Sequence, residues 1–179
     1  MIAQIDWPGL VLRSLQAPRE AARQIIDWRI PPQAIWISLV LVCTLNALLA
    51  GVTELLFPTP FTLPGMMQSP IGMVGILVVG LFATVYALFW VGRSLGAEGR
   101  LEDVAAALTW LQGLRVLAQA ILLVLTILSP ALAGLFAFAV MIFGIWLTLN
   151  FVAEALQFTS LLQAAGVLFA VVVGLAIGL

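Results

Sequence analysis

Five apolar runs, each roughly 19–25 residues long, decide the solvent in which this chain folds. They cover residues 34–57, 71–91, 104–128, 131–152 and 161–179. As a helix, a run of this length crosses about 30 Å of hydrocarbon. Inside lipid each backbone N–H and C=O needs an internal partner, so only helices or a closed barrel can cross, and the period-two alternation of barrel strands is absent. The expected fold class is all-α, a polytopic membrane protein. Five transmembrane helices occupy residues 33–179, and an interfacial amphipathic segment occupies residues 1–32. With 64% of the 179 residues hydrophobic and 8% charged, there is no room for a separate soluble domain.

The residues that are missing narrow the chemistry. Histidine is absent, and the single cysteine, Cys43, lies inside the first run, which excludes an intrachain disulfide and Cys/His metal sites. Intramembrane hydrolysis calls for paired aspartates, a Ser–His pair or a metal, and headgroup transfer on Mg²⁺ calls for clustered carboxylates. The adjacent acids Glu102 and Asp103, with Glu98 and Arg100, read as the solvated start of the third span. A non-enzymatic protein without catalytic, cofactor or metal site is expected. Net charge is −1 with no basic block, so no nucleic-acid partner is implied.

Orientation follows from the arginines, because there is no lysine. Arg13, Arg19, Arg23 and Arg29 precede the first run, and Arg93 and Arg100 lie between the second and third. Alternating sides puts all six on one face, which the positive-inside rule assigns to the cytoplasm. Trp36, Trp90, Trp110 and Trp146 fall near the ends of their spans on the same side. The N-terminus is expected inside and the C-terminus outside, in a bacterial inner membrane. The charges between Asp6 and Arg29 do not suit a signal peptide, so the first span is expected to stay uncleaved.

Residues 1–32 read as two short helices opened by Pro8 and Pro18 and ended by Pro31-Pro32. In the second, Ala22, Ile25 and Ile26 can face lipid, while Arg19, Arg23 and Asp27 face water with Arg23 and Asp27 as an i,i+4 pair. Residues 58–70 contain four prolines and no charge, and are expected as an outer-face loop dipping into the interface. In the last run Gly166, Ala170, Gly174 and Gly178 recur every four residues, a smooth helix-packing face for another helix of the chain or for a second copy.

Two polar stripes are the candidate functional residues. Gln112, Arg115 and Gln119 share one face of the third span, and Asn150, Glu154 and Gln157 share one face where the fourth span ends. The tight turn at Ser129-Pro130 makes these spans antiparallel neighbours. At 1.5 Å per residue from that turn, Arg115 lies about 21 Å in, Asn150 about 30 Å and Glu154 about 36 Å. That offset argues against a straight Arg115–Glu154 ion pair. It favours a tie from Arg115 to Gln112 and Asn150, with Asn46 as an extra partner.

The order of these features resembles the Yip1 family. The segment Trp146-Leu147-Thr148-Leu149-Asn150-Phe151-Val152-Ala153-Glu154-Ala155-Leu156-Gln157-Phe158-Thr159-Ser160, with its acid before the last span, and the leading Leu15-Gln16-Ala17-Pro18-Arg19-Glu20 are similar to bacterial members. The eukaryotic signatures Asp-Leu-Tyr-Gly-Pro and Gly-Tyr are absent, so no GTPase or vesicle-traffic role is carried over. The resemblance implies a non-enzymatic integral membrane protein, an accessory, scaffold or assembly component. Its expected partners are the lipid bilayer and a membrane protein or a second copy. The rival expectation is a small-solute or ion transporter built on Asn46, Gln112, Arg115, Gln119, Asn150 and Glu154, although no inverted repeat is visible.

Overall fold

The computed structural model of the chain describes residues 6–58 and 69–178. Seven helices follow in order: α1 Trp7–Gln16, α2 Pro18–Asp27, α3 Pro32–Leu56, α4 Pro70–Ser94, α5 Leu101–Leu128, α6 Pro130–Ala155 and α7 Leu161–Gly178. No strand occurs among the described residues. Four helices, α3 to α6, are long and apolar enough to cross a membrane, and α7 is a shorter apolar helix. Their ends differ from the apolar runs by less than one helical turn. Most of the loop expected at 58–70 lies outside the described residues.

The punctuation is local chemistry. A proline stands in the first turn of α1, α2, α3, α4 and α6, where its missing N–H breaks no intrahelical bond. Asp6 caps α1 by accepting the Gly9 N–H at 3.0 Å, and Ser69 caps α4 by accepting the Gly72 N–H at 3.0 Å. At the end of α4, Gly96 takes φ +86°, and the Ala97 N–H donates back to the Gly92 carbonyl at 2.9 Å. This is a Schellman closure. The end of α6 closes the same way without a glycine: Gln157 has φ 59°, and the Phe158 N–H donates to the Ala153 carbonyl at 2.8 Å. Phe158 is buried there, and its contact holds a backbone conformation that glutamine otherwise disfavours.

Packing is concentrated at one end of the bundle. The buried residues of α5 all fall in Val104–Leu108, while those of α6 fall mainly between Leu147 and Ala155. Leu88 and Gly92 near the end of α4 and Ile35 and Leu39 near the start of α3 join them. Farther along, Leu117, Ile121, Val124 and Ile127 of α5 and Leu132, Leu135 and Phe138 of α6 are exposed. Lipid tails are as apolar as these side chains, so exposure to them carries no hydrophobic penalty. The end that carries most of the arginines needs a protein core.

That core is completed by α1 and α2. Helix α2 packs on α6 and α5, and α1 packs on α2. Ala21, Ala22 and Ile25 are 0%, 0% and 3% exposed, so the face of α2 expected to meet lipid meets protein instead. The physical reason is the small side chains. Ala21 and Ala22 let α2 approach closely, and the buried Ala105, Ala106 and Ala107 do the same for the start of α5, around which α2, α3, α4 and α6 gather.

Candidate functional site

The polar residues singled out in the sequence divide between two places. Glu154, near the last turn of α6, receives the Arg23 Nε–H from α2 at 2.7 Å. The expected Arg23–Asp27 pair therefore gives way to a partner 131 positions distant. The Glu154 side chain is 16% exposed and that of Arg23 is 70% exposed. The Glu154 bond and charge hold the Arg23 guanidinium protonated more firmly than usual, with smaller help from Asp27 and Glu20. This ion pair pins the α2 cap to the end of α6.

A second tie lies between α1 and α5. Ser14 is fully buried, and its hydroxyl donates to the Leu10 carbonyl at 2.9 Å while accepting the Trp110 Nε1–H at 2.9 Å. Trp7 stacks on Trp110 with centroids 6.1 Å apart and meets the edge of Trp28 at 6.3 Å. Three indoles from α1, from the end of α2 and from α5 thus close the cap around one satisfied hydroxyl. Trp7, Ser14 and Trp28 carry no periodic signal as a group, and only the fold brings them together.

The membrane stripe remains apart from this cluster. Arg115 is exposed on α5 and makes no ion pair or hydrogen bond with any described residue, while Gln112 and Gln119 beside it are half-buried. Asn150 is buried, but its Nδ2 donates to the Trp146 carbonyl of its own helix at 2.8 Å. Asn46 does the same with the Val42 carbonyl at 2.8 Å. No hydrogen bond or ion pair among the described residues joins Arg115 to Gln112, Asn150, Asn46 or Glu154. Gln119 Oε1 is buried without a partner. Gln157, in the left-handed turn, is exposed. On α7, Gly166, Ala170 and Gly174 face outward, whereas Ala164, Val167 and Val171 are buried. The surroundings of Gly178 lie outside the described residues.

The ion pair yields a measurable asymmetry. In Arg23→Ala the more enclosed carboxylate of Glu154 loses its cation, whereas Glu154→Gln leaves an arginine that water solvates well. Limited trypsin digestion of the purified protein should therefore cut after Arg19 a few-fold faster in Arg23→Ala than in Glu154→Gln. Cleavage of both variants at the wild-type rate would show that α2 is not held by this pair.

A family model described as the Yip1 domain matches residues 12–179. No curated protein and no solved structure matches the chain.

Proposed function

The chain belongs to the Yip1 family, and on that premise we propose that it is a non-enzymatic, five-span accessory or scaffold protein of a bacterial inner membrane, with α1 and α2 in the cytoplasm. Support for a fifth span comes from α7, whose 18 residues, apolar except for Gln163, reach about 27 Å as a helix. Support for the orientation comes from Arg13, Arg19, Arg23, Arg29, Arg93 and Arg100, which all fall on α1 and α2, on the connection from α2 to α3, in the last turn of α4, or on the α4–α5 connection.

The observation that carries the accessory reading is the outer face of α7. A Cβ added at Gly166 or Gly174 would meet nothing within 4 Å, so among the described residues no other helix packs on this face at those two positions. In lipid such a face lets another backbone approach closely. Gly174→Leu should convert the complex recovered in mild detergent into the free chain, read by size-exclusion chromatography with light scattering. An unchanged assembly would remove this face from the interface.

One observation favours transport as the second reading: the unpartnered Gln119 Oε1 lies one turn from Arg115. Against it stands the division of the polar residues, with Glu154 committed to Arg23 and Asn150 to its own helix. Solute flux in liposomes that disappears in Arg115→Ala would favour transport over the accessory role.

A further inference from the structure

A cleft of about 110 Å³ opens where the end of α2, the α2–α3 connection and the start of α5 meet. Ile25, Ile30 and Ile35 contribute apolar lining, and Arg29, Arg100, Glu102 and Asp103 contribute charge. The cleft sits where two apolar helices begin, α3 at Pro32 and α5 at Leu101. That is headgroup level, a placement resting on the membrane orientation proposed above and not on the accessory role.

The charges in the cleft are not consumed by the fold. Arg29 forms no ion pair among the described residues, and its left-handed backbone, φ 45°, sets it at the turn out of α2 just before Pro31. Arg100 meets Glu102 at 3.4 Å with both side chains partly in water, a loose pair that a stronger ligand can displace. Asp103 spends Oδ2 on the Arg100 N–H at 3.2 Å, leaving Oδ1 to accept another donor.

Two cations beside two anions, next to isoleucine side chains, complement a dipolar amphiphile. We propose that this cleft binds the headgroup of an amine-bearing phospholipid, its phosphate on Arg29 and Arg100 and its primary ammonium on Glu102 and Asp103. Guanidinium suits phosphate oxygens, and a primary ammonium offers three N–H donors to the carboxylates. A choline headgroup has no N–H to donate, and no aromatic ring lines the cleft to receive a quaternary amine. A glycerol headgroup would leave both carboxylates facing an anionic lipid without a counter-charge.

Native mass spectrometry of the full chain in mild detergent tests this with phosphatidylethanolamine, phosphatidylcholine and phosphatidylglycerol of matched acyl chains. The ethanolamine lipid should be retained about ten-fold over the other two, the scale of one charge-assisted contact. Arg29→Gln with Arg100→Gln should abolish that retention, and Glu102→Gln should narrow the preference over phosphatidylglycerol, each in protein with unchanged helix content. Arg29→Gln alone provides the reading if the double variant does not fold. Equal retention of the three lipids, or an unchanged preference in the arginine variants, would overturn the proposal. Displacement of the lipid by equimolar glycerophosphoethanolamine would overturn it too, because the ligand would then be a soluble phosphoamine.

Discussion

Gly99→Ala is expected to destabilise the protein by about 3 kcal/mol, the upper part of the range for overpacking. Gly99 lies in the α4–α5 connection, buried against the end of α6. A Cβ there would run into the Ala155 carbonyl oxygen and stand 2.9 Å from the Leu156 Cα. Those atoms are backbone, so no rotamer change relieves the clash, and the connection must withdraw from α6 as a unit. At Gly92 the obstruction is different. An added Cβ meets the Leu156 methyl carbons at 2.8 and 3.0 Å, and flexible side-chain ends can move, so Gly92→Ala should cost less. Gly144 supplies the control, since nothing lies within 4 Å of its added Cβ, and alanine there should be neutral or stabilising by up to about 1 kcal/mol through helix propensity. Thermal unfolding in detergent should place Gly99→Ala roughly 6–12 °C below wild type. Coincident melting of Gly99→Ala and Gly144→Ala would mean that the α4–α5 connection does not seat on α6.

This close approach belongs to the part of the molecule that a one-dimensional reading reaches least. The helices themselves were legible because lipid imposes length and because Pro32, Pro70 and Pro130 mark helix starts in local chemistry. The Ser129-Pro130 turn between α5 and α6 was legible for the same reason. Periodicity also identified the apolar face of α2, but it could not say what covers that face. Ala22 and Ile25 would look alike against lipid and against protein. The available hint was size: alanines at 21–22 and at 105–107 are poor membrane anchors and good contacts between close helices. The Arg23–Glu154 pair had no comparable hint, because spacing rules see only partners within a turn or two, and Asp27 was the local candidate. The left-handed turn at Gln157 was hidden because its signal residue, glycine, is absent.

Phe151→Ala should cost about 3–5 kcal/mol, the range for deleting a fully buried aromatic side chain. Phe151 is among the largest fully buried side chains, 0% exposed on a stretch of α6 where Val152 and Ala153 are also buried. Three consecutive buried positions point to three sides of a helix, so α6 is enclosed there by its neighbours α2, α5 and α7. Helix α2 comes from a distant part of the chain and α5 and α7 flank α6 in sequence, and a cavity at the junction of all of them cannot be closed by one of them moving alone. Phe138, on the same helix but 60% exposed, should tolerate alanine far better, since lipid refills the space. The two variants also separate the cap from the spans. If α1, α2 and the bundle share one core, Phe151→Ala should lower the melting temperature and also open the chain to trypsin after Arg13 and Arg19. A lower melting temperature with unchanged cleavage would mean that the cap is held independently, by the Arg23–Glu154 pair and the Ser14–Trp110 hydrogen bond, and that the core around Phe151 organises only the spans.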